Sequence, residues 1–145
     1  MEIGRMGSSD RIGVLVDTNI LMSVYDKVDP FDLILEKFSY KPRFYIHKLV
    51  LKELDILFHK YNKSTKITSK LSLARKYLEV YKTWWEEVDM HSDLPTDDAL
   101  LETAKDLGLI IFTNDECLRK RAKMSNVEII SLGRGGKVIK SFHTI

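Results

Sequence analysis

The feature that most limits what this 145-residue chain can fold into is a repeated alternation. A short apolar run gives way to an amphipathic stretch of helical period, and then another short apolar run follows. Parallel strands need a crossover of a dozen or more residues between them, and that crossover covers the sheet. The alternation therefore predicts an α/β fold: an open three-layer sandwich with a central, mainly parallel sheet of about five strands flanked by helices.

The apolar runs are Ile12–Asp17, Arg43–Ile46, Leu109–Thr113 and Val127–Leu132, with weaker strands at Trp85–Met90 and Val138–Phe142. Between them, a short helix is expected from Asn19. Asp29-Pro30 opens another, with Asp as N-cap and Pro in the first turn. Leu49–Asn62 carries Val50, Leu54, Leu57, Phe58 and Tyr61 at helical spacing. Ser64–Trp84 reads as one long helix. Thr96 is placed as the cap of a helix ending at Leu107, with Gly108 as its left-handed terminator. Asp115–Met124 is the last helix. Residues 1–10 read as a disordered lead-in and residues 11–145 as a single domain.

Composition narrows the class. Apolar residues make up 44% and charged residues 30%, a globular balance. No apolar run approaches the ~18 residues of a membrane span. Met1–Asp10 has no apolar core segment of a secretory signal, and Cys117 is the single cysteine. Together these predict a reducing, cytoplasmic setting without membrane contact.

The chemistry is expected where several acids meet the ends of strands. In open α/β sheets, sites lie beyond the carboxyl ends of the strands. Asp17 ends the first strand and Asp115 follows the strand Leu109–Thr113. Asp97 and Asp98 open a helix whose right-handed connection brings its N-terminus to that same edge. Glu53 falls roughly 80° from the centre of its helix's apolar stripe, taking 100° per residue. Taken singly, Asp17, Asp97, Asp98 and Asp115 could each serve as helix caps or first-turn acids, and Glu53 could be a solvated flank residue. Taken together they would repel, and one or two divalent cations would relieve that repulsion. All-oxygen donors select Mg²⁺ or Mn²⁺ over zinc. The four histidines have no zinc-ligand spacing, and no nucleophilic Ser or Cys motif is present.

The stretch Val14-Leu15-Val16-Asp17-Thr18-Asn19-Ile20-Leu21 resembles the opening of a PIN-domain nuclease. Leu51-Lys52-Glu53-Leu54 resembles that family's second acidic segment, Thr96–Ala104 its third, and Ile110–Asp115 with Leu118 its fourth. The likeness runs from about Ile12 to Leu132. The stretch Asp115–Leu132 further resembles the branch that includes small-subunit rRNA-processing endonucleases. The resemblance implies that Asp17, Glu53, Asp98 and Asp115 are catalytic and hold one or two Mg²⁺ or Mn²⁺ ions. Asp98 is taken as the third acid because it directly precedes Ala99, and Asp97 supports it or shares its role. Asn19, with Thr113 or Asn114, is expected to orient ligands or phosphate.

Net charge is only +2, yet it is segregated. His59–Thr83 carries +6 and Glu116–Ile145 carries +5, so the remainder of the chain carries −9. Basic rims around an acidic centre suit a phosphate backbone. Arg119, Lys120, Arg121, Lys123, Arg134 and Lys137 are the expected RNA contacts. Tyr61, Tyr81, Trp84 and Trp85 suit base stacking, although core packing accounts for them as well. Gly133-Arg134-Gly135-Gly136 reads as a turn between strands or a phosphate nest.

The function expected is a divalent-metal-dependent endoribonuclease acting on an rRNA precursor. Two other roles fit the same residues. One is a toxin ribonuclease held by an antitoxin, and the other a non-catalytic RNA-binding ribosome assembly factor. A homodimer fits the family resemblance. A phosphoryl-transfer domain of receiver or haloacid phosphatase type fits less well, since Asp17-Thr18-Asn19 lacks the paired acid either would need.

Overall fold

The computed structural model describes residues 12–38, 41–133 and 139–141. The expected lead-in at 1–10, the candidate contacts Arg134 and Lys137, and most of the 133–136 turn lie outside them.

The elements run β1 (Gly13–Val16), α1 (Thr18–Met22), a 3-10 turn (Ser23–Asp26), α2 (Pro30–Lys37), β2 (Arg43–His47), α3 (Lys48–Lys60) and α4 (Thr65–Val80). A second 3-10 turn (Lys82–Trp84) leads to β3 (Trp85–Val88), followed by α5 (Thr96–Leu107), β4 (Ile110–Phe112), α6 (Glu116–Met124), β5 (Ile129–Leu132) and β6 (Ile139–Ser141). The six strands lie in the order β3-β2-β1-β4-β5-β6. The first five are parallel and β6 pairs antiparallel with β5.

Sequence explains which strands are central. Every residue of β1 and β4 is buried, as expected for continuous apolar runs covered on both faces. Val14 lies between Phe44 and Ile110 in register, and Leu15 between Tyr45 and Ile111. The edge strand β3 (Trp-Glu-Glu-Val) is only partly covered, which is why its sequence reads weakly. From β1 the chain steps to β2 and β3 on one side, then to β4 and β5 on the other. Right-handed crossovers thus put α1 to α4 on one face and α5 and α6 on the opposite one.

Caps set most boundaries. Asp29 accepts the Asp32 N–H at 3.2 Å, Ser64 accepts the Ile67 N–H at 3.3 Å, and Gly108 ends α5 at φ +66°. Most expected bounds shift by one or two residues, and two shifts have a visible cause. The helix expected through Trp84 stops at Val80, because Tyr81 leaves helical geometry and turns its ring onto Phe31 and Trp84. Thr96 is the first helical residue of α5; Pro95 holds the cap position and makes no side-chain bond. Among the described residues no helix is long and apolar enough to cross a membrane.

Candidate active site

The connections reverse direction between β1 and β4, so a crevice opens at the carboxyl ends of these two neighbouring strands. Asp17 sits there, one residue past β1 and only 6% exposed. Its N–H donates to the Phe112 carbonyl at 3.0 Å, extending the β1–β4 ladder to the crevice itself. Its carboxylate accepts from the Thr18 N–H at 2.7 Å and from Thr113 Oγ1 at 2.7 Å. The capping role and a place at the crevice thus belong to one side chain.

Thr113 is saturated. It donates to Asp17, accepts the Asp115 N–H at 3.0 Å, and receives Asn19 Nδ2 at 3.4 Å. Asn19 Nδ2 also reaches Asp17 Oδ2 at 3.4 Å, and Asn19 Oδ1 accepts the Asn114 N–H at 3.1 Å. Asn114 Oδ1 accepts the Leu132 N–H at 2.8 Å. These three residues tie the ends of β1, β4 and β5 together and hold the Asp17 carboxylate in one orientation. Asp115 caps α6, accepting the Leu118 N–H at 3.1 Å.

Glu53 reaches the same edge from α3. Thr18 Oγ1 donates to Glu53 Oε1 at 2.6 Å, so Glu53 lies one residue's width from Asp17. Its flank position on the helix is what leaves it half-buried and turned to this contact.

The two acids opening α5 part company. Asp98 pairs with the Arg121 guanidinium, whose pKa this contact raises. Asp97 lies in the field of Asp115, Glu53 and Asp17. Adjacent helix positions are ~100° apart, so the two carboxylates leave the helix in different directions. Arg121 is hydrogen-bonded to Asp98 and acts on Asp97 through its charge, while the match to Ala99 in sequence favours Asp98 as the third acid.

Burial and crowding show in protonation. Desolvation pushes Asp17 up to about 6, against the lowering effect of its bonds to Thr113 and Thr18; Asp97 and Glu53 add repulsion. Asp97 is also raised, by burial first and then by Asp115. Among the described residues no three potential ligands stand close enough to form a ready-made metal cage. The fit to a divalent cation is therefore one of charge and donor type. Asp17, Glu53, Asp97 and Asp115 are oxygen donors linked through one another's charge, and burial with that repulsion raises Asp17 and Asp97.

His47, which sequence reasoning passed over, organises the supports. It is fully buried at the end of β2 and caps α3, its Nδ1 accepting the Leu49 N–H at 3.0 Å. Its Nε2 lies 2.7 Å from the Met90 carbonyl, and one tautomer, with the proton on Nε2, satisfies both bonds. Thr103 of α5 donates to the same carbonyl at 3.2 Å. One imidazole thus connects the helix bearing Glu53 with the segment leading to Asp97. Neither it nor Thr18 carries a sequence signal, because their partners are 43 and 35 residues away.

The basic candidates divide. Arg121 is engaged by Asp98. Arg119, Lys120 and Lys123 line a cavity of about 190 Å³ beside β5, together with Glu116. Tyr81 and Trp84 belong to an aromatic cluster around Phe31, and Trp85 Nε1 donates to the Leu78 carbonyl at 2.8 Å, so these three serve packing. Tyr61 is 38% exposed.

Comparison with known proteins places this geometry. A family model described as a PIN like domain matches residues 14–135. Ribonuclease VapC9 of Archaeoglobus fulgidus is 34% identical over 116 residues, covering 79% of this chain and 78% of that protein. The solved PIN domain endonuclease Utp24 superposes with a TM-score of 0.70 at 20% identity, covering 92% of each chain. A domain of a functionally unknown Methanocaldococcus jannaschii protein gives 0.60 at 17% identity, over 84% of this chain and 91% of that one. At such identities the two structures speak to the fold alone.

Proposed function

The chain belongs to the PIN-like domain family, and on that premise we propose that it is a divalent-metal-dependent endoribonuclease of the toxin–antitoxin type. The observation that carries the chemistry is Asp17, buried at the switch point with Glu53 and Asp97 in reach of its field and Asp115 in that of Asp97. The biological role leans on the similarity to a ribonuclease, VapC9, over four fifths of the chain. A small protein antitoxin is then the partner. Likeness to Utp24 at 20% identity gives rRNA maturation no comparable support.

Asp17, Glu53, Asp97 and Asp115 would hold Mg²⁺ or Mn²⁺. Once bound, the ion supplies charge neutralisation for the phosphate and acidifies its bound water. Thr113 and Asn19 keep the Asp17 carboxylate aimed at the crevice, and Thr18 does the same for Glu53. The Asp98–Arg121 pair stands beside the acids and keeps a guanidinium near the path of a phosphate.

The test is incubation of the protein with RNA and Mn²⁺. Internal cleavage that stops with EDTA and falls at least 100-fold on Asp17→Asn is the expected result. Cleavage that survives either treatment overturns the reading, and RNA binding without any cleavage points to the non-catalytic role instead.

A further inference from the structure

We propose that the α3–α4 hairpin is an arm that tracks the phosphate backbone of a single-stranded RNA beside the acidic crevice. This rests on the nuclease reading of that crevice and adds to it an element that holds the substrate.

The hairpin is the most one-signed stretch of the molecule. Between Asp55 and Glu79 there is no Asp or Glu, while Lys60, Lys63, Lys66, Lys70, Arg75 and Lys76 all fall within it. Among the described residues only Arg75 of these six finds a carboxylate, Asp55 at 3.2 Å. Lys60, Lys63 and Lys66 are exposed at the end of α3, in the turn and at the start of α4. Within α4, Lys66 and Lys70 stand four residues apart on one face, where like charges repel. A ligand with repeating negative charge relieves that repulsion along its whole length, and a single anion does not.

Two rings stand among these cations. Tyr61 is 38% exposed with Lys60 Nζ 5.4 Å from its centroid, and Tyr25 is 37% exposed with Lys70 Nζ at 5.8 Å. An exposed ring with an ammonium beside it offers a face to an unpaired base and a charge to its phosphate. This pairing favours a single strand over a duplex, whose bases are not open to stacking.

Topology sets the arm at the right end of the sheet. Glu53 fixes α3 to Thr18 at the carboxyl ends of the strands. The far end of α4 lies at the opposite edge, since Leu78 accepts from Trp85, the first residue of parallel strand β3. Sixteen helical residues span about 24 Å, more than the 13–17 Å of four- or five-residue strands. An α4 laid along the strands from that contact therefore brings its start, and the turn before it, to the acid side. By contrast α6 starts at the acids and runs away from them.

The experiment measures binding of a labelled 20-nucleotide polyuridine to the full-length Asp17→Asn protein in EDTA, across a salt series. The comparison adds Lys60→Gln, Lys63→Gln, Lys66→Gln and Lys70→Gln, singly and together. Each lost phosphate contact lowers the slope of log K against log salt by about 0.7 for a single strand. The combined variant is expected to lose about 2 or more of slope and at least tenfold in affinity at low salt, with the single changes adding stepwise. An unchanged slope in a variant with the parent's circular dichroism overturns the proposal. So does a variant that alters self-association by sedimentation but leaves the RNA slope intact, since the hairpin would then be an interface between copies. RNA that is bound in a hairpin-dependent way but never cut by the unmodified protein supports the arm and overturns the nuclease reading alone.

Discussion

Replacing Asp17 by Asn is expected to make the metal-free protein more stable at neutral pH while abolishing its activity. Burial lifts the Asp17 carboxyl from 3.8 to about 6. At about 1.4 kcal/mol per pH unit, that displacement corresponds to about 3 kcal/mol. The sign follows from proton binding. Below pH 3.8 both folded and unfolded chains carry the proton and the full stability is present. Between about 3.8 and 6 the unfolded chain ionises first, so stability falls as pH rises. Above about 6 both are ionised and the deficit is complete. Asn removes the charge but keeps an acceptor for the Thr18 N–H, while the Thr113 hydroxyl must turn from donor to acceptor and release its 3.4 Å bond from Asn19, at a cost of about 1 kcal/mol. The net gain is about 2 kcal/mol at pH 7.5, or roughly 4–8 °C in Tm. Urea unfolding in EDTA at pH 4 to 7.5 measures it. The gap between variant and parent should close as pH falls through 6 towards 4. Saturating Mn²⁺ should narrow or reverse it at pH 7.5, because the parent gains about 2.7 kcal/mol at 100 times its Kd. A variant no more stable than the parent at pH 7.5, with a gap indifferent to pH, would falsify the view that Asp17 is a desolvated charge held in place for function.

Two further outcomes follow from the same geometry. Asp97→Asn should reduce Mn²⁺ affinity measured by calorimetry at least tenfold, whereas Asp98→Asn, which only releases Arg121, should change it less than threefold; the reverse ranking would restore Asp98 as the third acid. His47→Ala should cost about 2–4 kcal/mol in urea unfolding, because it leaves a cavity in place of a fully buried imidazole, strands the Leu49 N–H and leaves the Met90 carbonyl with Thr103 as its donor; a loss under 1 kcal/mol would mean water replaces the imidazole.

Much of the site was legible in the chain because local rules govern it. Asp17 and Asp115 stand at strand ends before helices, and both cap those helices whatever else they do. Glu53 was recognisable by its angle on α3, since a flank acid is carried to the edge of a buried face. Gly108 and Asp29 read correctly for the same reason: a cap depends on three or four neighbouring residues. Asp97 against Asp98 did not. Adjacent residues share every local property, and the choice between them is a helix rotation of about 100° fixed by how α5 packs. That packing gave Asp98 to Arg121, 23 residues away, and put Asp97 in the field of Asp115 and Glu53.

The sequence by itself determined the layers, the central strands and the acidic character of one sheet edge. These depend on apolar period and on residues near each other in the chain. Only the tertiary structure decided that Thr18 clasps Glu53, that His47 bridges α3 to the approach of α5, and that the end of α4 meets the start of β3. Each of these contacts joins segments 35 or more residues apart or depends on the direction in which a helix crosses the sheet. Direction and long-range contact are settled by burying the whole core at once, a constraint that no stretch of sequence carries alone.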